Sequence, residues 1–86
     1  MQPVTSAQIR MARAALAWTV RKLADVTGLH RNTISNIETE KYVGDPATLD
    51  VIRNAFVKHG IDFIDQNGGG PGVRLRRRRQ RMEENY

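Results

Sequence analysis

The apolar residues between positions 19 and 38 recur at the spacing of a helix, in two segments that are separated by a glycine. In the first segment Val20, Leu23 and Ala24 lie at positions i, i+3 and i+4, which places them on one face of a helix. Gly28 interrupts the pattern, and a residue just past a helix end commonly needs the positive φ that glycine adopts at little cost. A short helix is therefore predicted to end at Gly28.

The second segment, residues 29–38, directs Leu29, Ile34 and Ile37 inward and leaves an outward face made almost entirely of hydrogen-bonding side chains. The outward residues are His30, Arg31, Asn32, Thr33, Ser35 and Asn36. The pattern predicts a helix from Arg31 to about Glu38, with His30 at its N-terminal cap. Two short helices joined by a tight turn predict a helix-turn-helix.

Another helix is predicted before this motif, because Thr5 and Gln8 match a capping box in which both side chains bind free backbone N–H groups. Ile9 and Ala12 share its apolar face, and we expect Gln8 and Arg10 to be directed towards solvent.

The junction between this helix and the next carries Trp18 and Thr19. We interpret Trp18 as a residue that closes the core beneath the junction, rather than as a base-stacking site. Thr19 is a good N-cap, and the helix N-terminus that it begins favours an anion such as phosphate, to which Arg21 adds a positive charge.

Asp45 and Pro46 predict the start of a fourth helix, since aspartate is a favoured cap and proline loses nothing at the first helical position. Ile52 and Phe56 lie on the apolar face of this helix, and Gly60 ends it.

The period changes from helical to alternating after position 60, which predicts two short strands around a glycine-rich loop at residues 65–72. Ile61 and Phe63 share one face of the first strand, and Val73 and Leu75 alternate with arginines in the second. A two-stranded ribbon is marginal in water, so it must pack on the helices or pair with a second copy of the chain, and we favour pairing. The glycine run lacks the Gly-Lys-Ser/Thr ending of a phosphate-binding loop.

The predicted fold is therefore mainly α, with four helices and a C-terminal β-hairpin or β-arm. We divide the chain into a helix-turn-helix domain at residues 5–60, a hairpin or dimerisation arm at 61–76, and a basic, disordered tail at 77–86.

Charge indicates the class of partner. The 86 residues have a net charge of +5 and a sequence pI near 10.5, which favours a polyanion. Residues 1–73 hold eight Lys/Arg and seven Asp/Glu, whereas residues 74–86 hold six arginines and two glutamates, so most of the excess lies at the C-terminus. Such a segment adds sequence-independent attraction to phosphate.

Other classes of function are disfavoured. The chain has no cysteine, which excludes disulfides and thiolate metal sites, and its two histidines lie far apart without companions at metal-ligand spacing. No metal and no cofactor are predicted. No apolar run is long enough to span a membrane and no signal pattern is present, so we expect a cytoplasmic protein without a membrane partner. The polar residues line a convex helix face rather than a cleft, so we predict no enzyme.

A family resemblance rests on residues that span about three fifths of the chain. They are Arg13 and Leu16, then Leu23, Ala24 and Gly28, then Thr33, Ile34, Ile37 and Glu38, and finally Pro46 and Leu49. Together they resemble the XRE/Cro-type helix-turn-helix domain of phage repressors and small bacterial regulators. The glycine-rich ending is similar to that of a short bacterial subgroup. The resemblance implies a lambda-repressor-like DNA-binding domain whose recognition helix enters the major groove.

The resemblance also assigns roles to residues. Base edges would be contacted by His30, Arg31, Asn32 and Asn36. Phosphates would be contacted by Thr19, Arg21, Thr33, Thr39 and Lys41. Arg13 and Glu38 would form a structural ion pair. Glu40 stands where the family often has glycine, so we expect the recognition helix to extend towards Lys41.

These expectations describe a sequence-specific regulator that binds double-stranded DNA, most simply a homodimeric repressor whose half-sites lie about 34 Å apart. One alternative is the antitoxin of a toxin–antitoxin pair, which would have a toxin partner and regulate its own operon. Another is an RNA-binding or coactivator-type protein that uses the arginine-rich segment, although few aromatic residues are available for stacking on single strands.

Overall fold

The computed structural model describes residues 3–76, and it confirms the predicted fold class of four helices followed by a small antiparallel hairpin. The elements are α1 (Ser6–Leu16), α2 (Val20–Thr27), α3 (Arg31–Glu38), α4 (Pro46–Lys58), β1 (Ile61–Ile64) and β2 (Gly72–Leu75). The tail predicted at residues 77–86 lies outside the described residues. Within residues 3–76, none of the helices combines the length and apolar character needed to cross a bilayer.

Each helix begins at a side chain that accepts a hydrogen bond from a backbone N–H of the first turn. These caps are Thr5, Thr19, His30 and Asp45, as the sequence predicted. Thr5 and Gln8 form the complete capping box. Because the first N–H groups of a helix have no partner within it, the caps determine where the helices begin.

The core lies where all four helices and the first strand meet. Its buried apolar residues are Val4, Ile9, Ala12, Leu23, Ile34, Ile37, Ile52, Phe56 and Ile61. Trp18 packs against this core with its ring centroid 5.6 Å from that of Phe56, as expected for a residue at a helix junction. Complete burial of one large apolar side chain contributes about 1.5–3 kcal/mol, so these few residues supply much of the stability.

The hairpin packs on α1 and α4 of its own chain. Its register pairs Ile61 with Leu75 and Phe63 with Val73, and Ile61 is fully buried. The ring of Phe63 lies edge-on to the ring of Phe56 in α4, with centroids 6.2 Å apart. The hairpin thus has intramolecular support, and its pairing with a second copy stays a prediction.

Gln8 does not face solvent as the helical period predicted, because its side chain is only 3% exposed and joins α1 to the hairpin. Its Nε2 donates to the carbonyl oxygens of Ile64, at 3.0 Å, and Gly72, at 2.9 Å. Its Oε1 accepts from the backbone N–H of Thr5. The amide is buried because two strand carbonyls and one cap N–H all require partners there.

α3 runs from Arg31 to Glu38, as its helical period predicted, and it does not extend towards Lys41 as the absence of glycine at position 40 led us to expect. Glu40 adopts a φ of 65°, the left-handed conformation that glycine would usually provide. The N–H of Lys41 then reaches the carbonyl of Asn36 at 2.8 Å, and the N–H of Glu40 reaches that of Ile37 at 3.1 Å. These two bonds form a Schellman motif, which closes the helix despite the side chain at position 40.

Candidate nucleic-acid interface

The eight residues of α3 divide into a buried face and an exposed face. Ile34, Ile37 and Glu38 are buried, and the first two belong to the hydrophobic core. The N-terminal cap and the exposed positions are His30, Arg31, Asn32 and Asn36. Asn36 follows Asn32 by four residues, so both carboxamides lie on the same side of the helix. The predicted base-contacting residues therefore form one continuous exposed surface.

His30 takes part in the cap through its ring. Its Nδ1 accepts a hydrogen bond of 3.1 Å from the backbone N–H of Asn32. In the neutral imidazole the other ring nitrogen then carries the hydrogen and acts as a donor. The cap therefore directs an N–H group of His30 away from the helix, where it can reach an acceptor such as a purine N7.

The side chains of Arg31, Asn32 and Asn36 make no hydrogen bond or ion pair with another residue between positions 3 and 76. An arginine can donate two hydrogen bonds to O6 and N7 of guanine, and an asparagine can pair with N6 and N7 of adenine. These three side chains are thus chemically suited to read base edges and are free to do so.

The predicted phosphate-contacting residues differ in what they can donate. Thr19 accepts from the N–H of Lys22 at 3.0 Å, which leaves its hydroxyl hydrogen available, and Arg21 is exposed in the first turn of α2. Thr39, in contrast, donates its hydroxyl hydrogen to the carbonyl of Ser35 at 2.8 Å. A phosphate requires a donor, so the N-terminus of α2 is better prepared to bind one than Thr39 is.

The other two predicted phosphate contacts lie at opposite ends of α3. Thr33 is half-buried near its start, with its backbone N–H bonded to the carbonyl of His30 at 3.0 Å. Lys41 is exposed and follows the left-handed residue Glu40. The two positions therefore flank the exposed surface of α3 rather than joining the N-terminus of α2.

Lys22 is exposed in the first turn of α2 and was not among the predicted phosphate contacts. Its Nζ lies 5.9 Å from the centroid of the Trp18 ring, a distance at which a cation is attracted to an aromatic face. The contact holds a second positive charge beside the N-terminus of α2. No sequence signal predicted this contact, because Trp18 lies outside α2 and the spacing rule for pairs on a helix does not apply to it.

Arg13 connects α1 to the C-terminal end of α3. Its guanidinium donates two hydrogen bonds of 2.7 Å to the carboxylate of Glu38 and one of 3.0 Å to the carbonyl of Trp18. The hydrogen bond to Glu38, together with the opposite charge, raises the pKa of Arg13 above its ordinary value. Arg10 adds a hydrogen bond to the backbone carbonyl of Glu38. These bonds fix α3 against the helix behind it.

Within the described residues, no group of three or more His, Asp or Glu side chains is placed to hold a metal ion.

A family model described as helix-turn-helix matches residues 9–56, which is more than half of the 86-residue chain and runs from within α1 to within α4. No match was found among curated protein sequences.

Proposed function

Because this chain belongs to the helix-turn-helix family of XRE/Cro-C1 type, a family of DNA-binding transcriptional regulators, we propose that it is a homodimeric repressor of an inverted-repeat operator. This family consists of DNA-binding regulators and is not a family of enzymes. Action on the DNA of a bacterium or phage would place the protein in the cytoplasm.

The exposed face of α3 is the observation that carries this proposal. Three side chains able to read bases are free there, while the opposite face of the helix is held by the core and by the hydrogen bonds from Arg13 to Glu38. A helix fixed on one side and polar on the other can enter the major groove without reorganising. We assign His30, Arg31, Asn32 and Asn36 to base edges.

Phosphate contacts would fix the register of the protein on the duplex. The N-terminus of α2 supports this role, because it combines the free hydroxyl hydrogen of Thr19 with the exposed cation of Arg21. We also assign Thr33, Thr39 and Lys41 to phosphate contacts. The hydroxyl of Thr39 would have to give up its hydrogen bond to the carbonyl of Ser35 before it could donate to a phosphate.

Dimerisation would present two recognition helices to half-sites about one helical turn, or 34 Å, apart. The hairpin supports this step because it leaves apolar side chains on its surface, with Ile64 41% exposed and Leu75 51% exposed. A second hairpin that paired at a free strand edge would extend the sheet and place its own side chains beside those of the edge strand.

A genome-wide footprint followed by competition binding would test the proposal. Arg31→Ala combined with Asn36→Ala should reduce the preference for the recovered operator over a scrambled duplex at least about 10-fold, as expected for the loss of two base contacts. Asn54→Ala combined with Lys58→Ala is the matched control, since it removes a carboxamide and a cation from the exposed surface of α4.

The outcomes separate the alternatives. Unchanged preference in the Arg31 and Asn36 variant would refute base reading by α3. Footprints without inverted symmetry would refute the dimeric operator. A small toxin gene next to this one, whose product binds the protein, would favour the antitoxin function.

A further inference from the structure

Asp62 in β1 holds the first two arginines of the C-terminal basic segment. The strand register places Asp62 directly opposite Arg74. The carboxylate lies 2.6 Å from Nη1 of Arg76 and 3.5 Å from Nη2 of Arg74. One acidic side chain therefore contacts two of the six arginines found between positions 74 and 81.

Arg76 is also held by the end of α4. Its Nη2 donates to the carbonyl of Val57 at 2.7 Å, and its backbone N–H donates to the carbonyl of Gly60 at 2.7 Å. The hydrogen bond from Arg76 lowers the pKa of Asp62 below its ordinary value, so the carboxylate is charged at neutral pH. The guanidinium of Arg76 is thus occupied by partners within the chain.

We propose that Asp62 competes with nucleic-acid phosphate for Arg74 and Arg76, and so limits the sequence-independent affinity of this protein for polyanions. Both arginines stay accessible to a competitor, since their side chains are 68% and 44% exposed. An exposed ion pair shifts an equilibrium by no more than about 5-fold, so Asp62 weakens the contacts of these arginines with phosphate without abolishing them. The effect on affinity should be the same for every DNA sequence, because contacts with phosphate do not depend on the identity of the bases.

This inference rests on the proposed binding of duplex DNA, and its main test is the salt dependence of that binding. The affinity for a scrambled duplex would be measured over a series of KCl concentrations for Asp62→Asn and for Asp65→Asn. Asp65 is the matched control, because it is an exposed aspartate three residues away without an ion pair to another described residue. Its substitution changes the net charge equally without releasing an arginine.

We expect Asp62→Asn to bind the scrambled duplex about 3- to 10-fold more tightly at low salt, since each of the two exposed ion pairs contributes no more than about 5-fold, and Asp65→Asn no more than about 2-fold. The slope of log affinity against log salt should steepen by up to about 2 units in Asp62→Asn, one for each arginine released. The preference for the operator over the scrambled duplex should stay unchanged. Equal effects of the two substitutions would overturn the inference.

Removing the arginines provides a test that does not require Asp62→Asn to fold. Arg74→Gln combined with Arg76→Gln should change the salt slope of the otherwise native protein by less than about 1 unit. A loss of about 2 units in the native background would show that both arginines already contact phosphate, which would overturn the inference.

Retention on immobilised heparin separates this inference from the proposed function. Heparin is a polyanion without bases, so Asp62→Asn should elute at higher salt than Asp65→Asn whether or not the protein reads an operator. If Asp62→Asn elutes from heparin at higher salt but the protein shows no preference for an operator, the proposed function is refuted and this inference is not. Operator preference without a heparin shift would refute this inference alone.

Discussion

Arg13 donates two parallel hydrogen bonds of 2.7 Å to the buried carboxylate of Glu38. This bidentate geometry makes an arginine–carboxylate pair directional. Glu38 is only 5% exposed, whereas the side chain of Arg13 is 23% exposed, so the carboxylate is buried and its partner is partly open to solvent. Because Glu38 is the last residue of α3, the pair fixes the far end of the helix that we propose to read DNA.

Substitution of Arg13 by methionine should lower the free energy of unfolding by about 3–5 kcal/mol, since it leaves the carboxylate of Glu38 buried and unpaired. Adding Glu38→Leu should recover most of this loss, because the double variant buries no charge. Urea denaturation would measure both. Arg21→Met on the exposed surface of α2 is the control and should change stability by no more than about 0.5 kcal/mol. A similar loss in both single variants would argue against the ion pair as the cause.

Glycine at position 40 should stabilise the protein by about 0.5–1 kcal/mol. Glu40 has a φ of 65°, which costs a residue with a Cβ roughly 1–2 kcal/mol, and the greater freedom of glycine in the unfolded chain offsets part of the gain. Ala17, with a φ of 55° at the end of α1, should respond in the same way to Ala17→Gly. Thermal unfolding would measure both gains. Glu40→Ala keeps the Cβ, so a gain as large as that of Glu40→Gly would contradict the explanation by backbone conformation.

The sequence predicted those parts of the fold that depend on interactions between residues close together in the chain. Thr5, Thr19 and Asp45 are caps that act on N–H groups within three residues, so their positions alone predicted the helix starts. The outward face of α3 was likewise predicted by the helical period. These predictions required no knowledge of which elements meet in space.

The interactions that the sequence did not reveal connect residues distant along the chain. Gln8 is separated from its partners in the hairpin by 56 and 64 positions, and nothing in the period of α1 distinguishes it from a solvated glutamine. The contact of Asp62 with Arg74 depends on the strand register, which the glycine-rich loop leaves open. Glu40 adopts a conformation that propensity disfavours, because the Schellman bonds outweigh its strain.

Gln8→Glu should destabilise the protein by about 1–3 kcal/mol and loosen the hairpin. Glutamate retains an oxygen that can accept from the N–H of Thr5, but it lacks the N–H groups that bind Ile64 and Gly72. Hydrogen exchange of the β2 amides and urea denaturation would measure these effects. Asn54→Asp introduces the same charge on the exposed surface of α4 and should change little. Unchanged exchange in Gln8→Glu would indicate that the hairpin does not depend on this amide.

Stability should fall as the pH drops below the ordinary aspartate pKa of 3.8, in part because Asp62 loses its charge. Its pKa is lower in the folded state than in the unfolded state, mainly through the hydrogen bond from Arg76. The resulting stabilisation is therefore complete above pH 3.8 and disappears as the pH falls through the lower folded value. When the free energy of unfolding is plotted against pH, Asp62→Asn should reduce the slope at acid pH more than Asp65→Asn does. Parallel curves for these variants would contradict the assignment.

His30 combines a structural role with the proposed base contact, and two substitutions separate them. Asparagine is a stronger cap than histidine, so His30→Asn should retain the stability of the native protein, whereas His30→Ala should lose about 0.5–2 kcal/mol through the lost bond to the N–H of Asn32. Both variants lack the imidazole, so both should change the preference for operator variants at one base-pair position in each half-site. Only His30→Ala should be destabilised. A change in specificity that both variants show would therefore come from the missing imidazole and not from reduced stability. An unchanged operator preference in His30→Asn would restrict His30 to capping α3.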